Sequence, residues 1–558
     1  MNKVNYKCLL ISSFNTSNFA GCMDNDPEQP HMETIQAPYG QVVPVLMQSN
    51  QQVWETDPEF VVVWTQPGDV IRSFSTLRHK CHISETELIE EVDAFASAVT
   101  RVSDCVKAAF IPTWAIAPYD RGLGMLDMET GLGVSNVLMQ MNLRLAEKLK
   151  GHPSCIVLNT QRWISLAGKK AFDPKLWYMA KIPFSIEVFS EATKDIKAAI
   201  RGLTGQARKL ILLDLDNTLW GGLVGEVGWE KIRLGGHDHV GEAYADFQHT
   251  LKSLTHRGIL LGIVSKNEES VGLEAINKHQ EMILKLDDFA GWRINWQDKA
   301  QNIAELVSDL NLGLDSVVFM DDSPVERARV KDALPEVIVP DMPEDNTLYK
   351  SVLLNLNCFD IPSISQEDRT RTVTYVSERK RKAAKATVQS LDEWLKTLQM
   401  KVRVDVLNRA NLSRTAQLFN KTNQMNLSTR RMAEWEIMDW SKPPNRSMWV
   451  FFVSDKFGDS GLTGIASLEI KESIGTIVDF ILSCRVMGRR VEEAMLHTIV
   501  SYAKSRELRE VQAEYVATPK NRPCRRFFDE SGFESVADDI FVWNTEKPYK
   551  KPEHITLI

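Results

Sequence analysis

Ile211-Leu212-Leu213-Asp214-Leu215-Asp216-Asn217-Thr218-Leu219-Trp220 decides how this chain is read. Leu210 to Leu213 is a continuous apolar run. Such a run fits a parallel strand covered on both faces. Two aspartates one residue apart follow at its carboxyl end, and then Thr218. Open α/β sheets place ligands outside the carboxyl ends of their strands. Two carboxylates this close repel each other unless they hold a cation or one carries a proton.

With 558 residues the chain is expected to form several domains. Its hydrophobic fraction of 43% and charged fraction of 25% are those of soluble globular protein. A net charge of −8 argues against a nucleic-acid partner, which calls for a basic field. Eight cysteines are scattered without a CxxC pair, so neither a disulfide framework nor structural zinc is expected, and a reducing compartment fits. Phe19-Ala20-Gly21-Cys22 has the form of a lipoprotein cleavage site, but Ser12, Ser13, Asn15, Thr16, Ser17 and Asn18 interrupt the apolar run that a signal needs. No apolar run is long enough to span a bilayer. The expectation is a cytoplasmic protein with no membrane partner.

Four segments follow from the pattern. Residues 1–205 alternate expected strands at 8–11, 60–64, within 106–116 and 154–158 with helices at 85–102 and 137–149, which predicts an α/β domain with a parallel sheet. Residues 206–365 repeat the rhythm around the opening stretch, with strands at 259–264 and 317–320 and helices at 240–256 and 303–310. Residues 366–399 read as a helical linker carrying the basic run Arg379-Lys380-Arg381-Lys382, either a solvated helix face or an acidic partner's dock. Residues 400–558 mix strands at 402–406, 448–453, 464–470 and 476–482 with a helix at 491–504, which predicts an α+β domain.

The polar residues at the central strand ends share one chemistry. Ser265 ends Gly262-Ile263-Val264-Ser265, Lys299 ends Trp296-Gln297-Asp298-Lys299, and Asp321-Asp322 end Val317-Val318-Phe319-Met320-Asp321-Asp322. Phosphoryl transfer through an aspartyl phosphate needs such a set. One carboxylate attacks phosphorus and a second protonates the leaving oxygen. Acidic residues hold Mg²⁺, while a hydroxyl and a lysine hold the phosphoryl oxygens. The gaps between Asp214, Ser265 and Lys299 leave room for a flap at Gly221–Gly228, two helices and two strands, but for no cap domain. An open site is expected.

This order of motifs resembles the haloacid dehalogenase superfamily, whose DxDx[TV] motif is matched by Asp214-Leu215-Asp216-Asn217-Thr218. The resemblance implies Asp214 as nucleophile, Asp216 as general acid/base, and Ser265 and Lys299 as phosphoryl-binding residues. It implies a metal site of Asp214, Asp216, Asp321 and Asp322, with Thr218 and Asn267 helping to hold phosphate. The flanks Leu219-Trp220-Gly221-Gly222-Leu223-Val224-Gly225-Glu226, Val264-Ser265-Lys266-Asn267, Asn295-Trp296-Gln297-Asp298-Lys299 and Asp321-Asp322-Ser323-Pro324-Val325-Glu326-Arg327 are similar to the FkbH-like branch. So are Leu176-Trp177-Tyr178-Met179-Ala180-Lys181-Ile182-Pro183-Phe184-Ser185 and Asn420-Lys421-Thr422-Asn423-Gln424-Met425-Asn426-Leu427. That resemblance implies an acyl transferase/phosphatase for polyketide assembly. It would load a three-carbon glyceryl unit from a phosphorylated acyl donor, 1,3-bisphosphoglycerate, onto an acyl carrier protein.

The flanking domains carry further resemblances. The first resembles an SGNH-hydrolase α/β fold, with Ser12 or Ser13 where such folds place a nucleophile. Its late Asp-x-x-His signature is not met, since Asp173-Pro174-Lys175-Leu176 has no histidine, and a serine without its base is poorly activated, so a substrate- or carrier-binding scaffold is expected ahead of a working serine esterase. The last resembles the GNAT acyltransferase fold, with Cys484-Arg485-Val486-Met487-Gly488-Arg489-Arg490 opening a helix. Backbone N–H groups there would bind a pantetheine phosphate beside Arg485 and Gly488. Arg490 replaces the small residue that the GNAT pattern calls for. Cys484, Ser13 and Cys22 are the candidate acyl-transfer nucleophiles, although a cysteine ending a strand also reads as plain core. His237, His239 and His249 form no convincing metal set. A carrier-binding scaffold with a vestigial site and a stand-alone small-molecule phosphatase are the competing functions.

Overall fold

The computed structural model describes residues 5–47, 51–80, 84–103, 105–120, 123–386, 388 and 390–558. The chain divides into two compact units: Met1–Leu212 with Gly235–Phe247 and Leu312–Ser365, and Leu213–Leu234 with Gln248–Asn311 and Gln366–Ile558. The fold class is α/β, with a parallel sheet in the N-terminal part and a mixed sheet in the C-terminal part.

The N-terminal sheet comprises β1 (Asn5–Ser12), β2 (His31–Gln36), β3 (Phe60–Trp64), β4 (Ala108–Pro112) and β5 (Cys155–Leu158) in the order β2-β1-β3-β4-β5. Every pairing is parallel. Alternate residues of each inner strand face opposite layers, as the two-residue period of a strand requires. Cys8, Leu10, Phe60, Val62, Trp64, Ala108 and Phe110 pack on one side. Leu9, Ile11, Val61, Val63, Ala109 and Ile111 pack on the other. Burial on both faces explains why these strands read as unbroken apolar runs. The helix Ser17–Asn25 buries Phe19, Ala20 and Met23, so Phe19-Ala20-Gly21-Cys22 is part of a packed helix.

The central sheet comprises β6 (Leu210–Leu213), β7 (Leu260–Ser265), β8 (Phe289–Ile294) and β9 (Val317–Met320) in the order β8-β7-β6-β9. β6 is fully buried along its length. Between Asp214 and Ser265 lie only the short helix Val224–Val227, the helix His239–Thr255 and β7. Between Ser265 and Lys299 lie the helix Glu269–Lys278, a 3-10 turn and β8. No cap domain is inserted.

The C-terminal sheet comprises β10 (Met400–Val406), β11 (Met425–Asn426), β12 (Arg446–Asp455), β13 (Gly458–Lys471), β14 (Ile474–Leu482), β15 (Glu510–Glu514), β16 (Glu534–Ala537), β17 (Ile540–Asn544) and β18 (Ile555–Leu557). Its order is β16-β17-β15-β14-β13-β12-β10-β18. β14 and β15 pair in parallel only from Ile474↔Glu510 to Ile477↔Ala513. Beyond that point β11 pairs with β14 through Met425↔Leu482 and Asn426↔Ile481. Leu427 N donates to Phe480 O at 3.1 Å, and Val516 N donates to Leu427 O at 3.0 Å. The chain's own Met425–Leu427 backbone therefore fills the divergence between β14 and β15. Asn426 and Asn521 are fully buried, and Asn521 Nδ2 anchors the Asn426 carbonyl at 3.0 Å.

The segment expected as a helical linker packs on the chain, and its basic run is only partly a solvated face: Lys380 and Lys382 are exposed, Arg379 is half-buried and Arg381 is buried. Most of it is the helix Gln366–Ala386. Arg379 Nη1 donates to the carbonyls of Leu286 (2.9 Å) and Phe289 (2.5 Å), and its guanidinium lies 4.4 Å from the Trp292 ring. Lys380 pairs with Asp287 at 2.9 Å, and Lys382 Nζ donates to Asp309 O at 2.8 Å. Arg381 grips Asp455 with two bonds of 2.6 and 2.9 Å. The run is a set of clamps onto the chain itself. Among the described residues no helix is long and apolar enough to cross a membrane.

The Asp455 side chain is only 1% exposed and also accepts the N–H groups of Phe457 and Gly458, while Arg489 stands 3.5 Å away. Removing one partner of a buried pair leaves an uncompensated charge. Asp455→Ala is expected to lower the unfolding free energy by about 3–5 kcal/mol. Asp287→Ala, at an exposed pair, should cost about 0–1 kcal/mol. Urea denaturation of both variants checks the contrast.

Candidate active site

Because β6 is buried on both faces, the first polar side chain beyond it emerges at the strand end. Asp214 is 6% exposed there. Lys299 Nζ lies 2.9 Å from Asp214 Oδ1, and both side chains are nearly out of water. The contact is a close ion pair that is not aligned as a hydrogen bond, so Oδ1 keeps no well-aligned donor. Lys299 opens the helix Lys299–Asp309, whose N-cap Asp298 accepts from Gln301 N at 3.1 Å. A cation at a helix N-terminus opposes the helix dipole. Asp214 offsets that cost.

Asp216 sits in a cradle of donors. Trp220 Nε1 (2.8 Å) and Val224 N (3.0 Å) donate to its Oδ1, and Asn267 Nδ2 (3.0 Å) donates to its Oδ2. The turn that makes this possible bends at Asn217, whose φ is 54°, and at Gly222, whose φ is 102°. Asn217 Oδ1 accepts from Gly222 N at 2.9 Å, and Gly221 and Arg233 exchange backbone bonds of 3.0 and 2.8 Å. Burial pushes the Asp216 carboxyl above its ordinary value despite these donors, and the neighbouring Asp214 charge adds to the rise. A carboxyl so placed is suited to giving and taking a proton. Ser265 ends β7 with 2% exposure, and Thr218 is fully buried.

Asp321 and Asp322 follow β9. The Asp321 side chain accepts from Ser323 N at 2.9 Å, and Arg327 Nη1 donates to the carbonyls of Asp321 (2.8 Å) and Asp322 (2.6 Å). Asp214, Asp321 and Asp322 each offer a carboxylate oxygen within 4.8 Å of the others. An all-oxygen acidic set with one buried oxygen lacking an aligned donor fits a hard divalent cation such as Mg²⁺. The Asp216 carboxylate, expected in this set, stands outside it because its oxygens face Trp220, Val224 and Asn267. Asn267 likewise spends its amide on Asp216 rather than being held ready for phosphate. Sequence reasoning missed Trp220 and Arg327. Both lie inside quoted motifs, but only the turn geometry shows what they hold.

The remaining candidates lie elsewhere. Ser13 Oγ accepts from Gln66 N at 2.9 Å. Ser12, not Ser13, lines a cavity of about 480 Å³ at the sheet end, and among the described residues no histidine lines it. Asp173 caps a helix through Lys175 N at 2.9 Å. Cys22 is half-buried, and burial raises its thiol, with Asp26 adding to the shift. A raised thiol is a poor nucleophile, so Cys22 is a poor acyl carrier. Cys484 is exposed rather than core, and with Arg485 it borders a second cavity of about 850 Å³. Arg485 pairs with Glu367. Gly488 N donates to Glu492 Oε1 at 3.2 Å, which commits the amide expected to receive a pantetheine phosphate.

No family model matches the sequence, and no curated protein matches it. Among solved structures, the chain is similar to the N-terminal part of a Bacteroides fragilis protein containing a phosphatase domain, complexed with Mg. That likeness has 27% identity and a TM-score of 0.58, and covers 64% of this chain and 95% of that one. The ribosomal-protein-S18-alanine N-acetyltransferase of Escherichia coli matches with 9% identity and a TM-score of 0.21 over 27% of this chain and 97% of that one. The spermidine N-acetyltransferase of Vibrio cholerae, in complex with CoA and spermine, matches with 15% identity and a TM-score of 0.22 over 26% of this chain and 97% of that one.

Glu492 supplies a pH prediction. Burial is the main cause that raises its carboxyl above the ordinary 4.5. A raised carboxyl stabilises the fold below its unfolded value, and that contribution is lost as pH rises through the folded value. Glu492→Gln keeps an acceptor for Gly488 N without the charge. It should raise the melting temperature at pH 7–8, and the gap should close as pH falls toward about 4.5. Thermal denaturation across that range checks it.

Proposed function

We propose that this chain is a Mg²⁺-dependent enzyme that works through an aspartyl phosphate at Asp214. The observation that carries the proposal is the buried Lys299–Asp214 pair beside the donor-cradled Asp216. An Asp214 oxygen attacks phosphorus, the bond from phosphorus to the leaving oxygen breaks, and Asp216 protonates that oxygen. Asp216 then takes a proton from the water that cleaves the aspartyl phosphate. Lys299 and Ser265 hold phosphoryl oxygens through the transfer. Asp214, Asp321 and Asp322 would hold the Mg²⁺, which neutralises phosphoryl charge when bound. The Bacteroides fragilis phosphatase domain complexed with Mg supports this reading.

The substrate is a phosphorylated three-carbon acyl donor, 1,3-bisphosphoglycerate, and the acceptor is the phosphopantetheine thiol of a cytoplasmic acyl carrier protein. The resemblance to FkbH-like polyketide-loading enzymes supports this step. The commitment of the Gly488 amide to Glu492 favours a second reading, in which the C-terminal domain does not transfer acyl groups and the chain dephosphorylates a small molecule.

Incubating the full chain with 1,3-bisphosphoglycerate and a phosphopantetheinylated carrier separates them. Mass spectrometry should find a glyceryl adduct on the carrier, together with phosphate release. Phosphate release without an adduct selects the second reading. Asp214→Asn and Lys299→Met should each lose about 10²–10³-fold or more in phosphate release. Wild-type phosphate release by both variants would end the aspartyl-phosphate reading.

A further inference from the structure

The cavity at the carboxyl end of the N-terminal sheet is not used by the chemistry above. It measures about 480 Å³ and is lined by Ser12, Asn15, Thr16, Gln36, Tyr39 and Lys181 among its polar residues, with Leu10, Phe14, Ala37 and Met179 among its apolar ones. Carboxyl ends of parallel strands are where such sheets bind ligands. A volume of this size is ordinary for a small-molecule site.

Three of its polar side chains, Asn15, Gln36 and Ser12, keep donors to offer a ligand. Asn15 Oδ1 accepts from Ser17 N at 2.9 Å, so the Asn15 amide presents its NH₂ group. Gln36 Oε1 accepts from Thr16 Oγ1 at 3.0 Å, so Gln36 does the same. Ser12 is 7% exposed, and its Oγ accepts from Phe14 N at 3.1 Å, leaving its O–H to donate. Lys181 is the one charged residue in the lining, with no carboxylate partner among the described residues. Its backbone is fixed: φ is 58°, its carbonyl accepts from Asn15 N at 3.0 Å, and its ammonium stands 5.0 Å from the Trp177 ring. Among the described residues, no Asp, Glu or His lines the cavity. The lining is therefore donor-rich and positive, and it holds no base that could activate Ser12 for hydrolysis.

We propose that this cavity binds, without cleaving, a small hydroxylated organic anion. Lys181 pairs with its charge, Ser12, Asn15 and Gln36 donate to its hydroxyl and acid oxygens, and Phe14, Ala37 and Met179 cover its carbon skeleton. The cavity exceeds what an inorganic anion fills, and its apolar wall would be wasted on one.

Isothermal titration of D-glycerate, 3-phosphoglycerate and inorganic phosphate into the full chain tests this. Asp214→Asn and Lys181→Met are measured alongside, with p-nitrophenyl phosphate hydrolysis as a separate readout of the phosphatase site. At least one of the two organic anions should bind saturably to the wild type and to Asp214→Asn, and at least tenfold more weakly to Lys181→Met. Lys181→Met should keep wild-type p-nitrophenyl phosphate hydrolysis, and its thermal melting should show an intact fold. The proposal is overturned if neither organic anion binds, if Lys181→Met binds as the wild type does, or if inorganic phosphate binds most tightly. The phosphatase reading fails independently, through absent p-nitrophenyl phosphate hydrolysis.

Discussion

The ion pair between Lys299 and Asp214 is the contact on which the candidate chemistry depends. Taking two charges out of water costs on the order of several kcal/mol each, and their attraction offsets that only in good geometry. Here the geometry is incomplete, since the pair is close but not aligned and one Asp214 oxygen lacks a well-aligned donor. A structural salt bridge would be expected to satisfy its oxygens. A pair waiting for a phosphoryl group and a cation would not. Arg381 and Asp455 make the contrast: that pair is also buried, but Arg489 and two backbone N–H groups complete its shell.

The parts that could be read in the sequence were those set by burial and strand period. β6 and β9 are short, doubly covered strands, so their apolar runs marked them and their last residues marked the polar end of the sheet. Asp214, Ser265 and Asp321 stand at strand ends for the same reason, whereas Lys299 opens the helix that follows β8. The cradle of Asp216 was not readable, because it depends on a turn that passes through a left-handed Asn217 and brings Trp220 back onto the carboxylate. Charge patterns also mislead when the partner lies far along the chain. Arg379-Lys380-Arg381-Lys382 has the spacing of a solvated helix face, yet its partners are Phe289, Asp287, Asp455 and Asp309.

In the C-terminal domain, β14 and β15 are paired over only part of the length of β14. The parallel pair diverges, and such a gap exposes backbone donors and acceptors that must be satisfied. Met425–Leu427 satisfies them from within the chain. Glu492 does the same for the Gly488 amide, at the cost of keeping a carboxyl in a place that favours its neutral form. Cys484 and Arg485, by contrast, remain beside open space.

β8 ends the central sheet, so one of its sides has no neighbouring strand among the described residues. Arg379 reaches from the helix Gln366–Ala386 to the carbonyls of Leu286 and Phe289 at the start of that strand. Bare strand edges recruit other chains into aggregates, and natural proteins cover them. A chain cut before residue 366 would retain the residues of the phosphoryl site but lose this guard. Such a fragment would be prone to pairing with its own copies, so the helix serves solubility as well as connection.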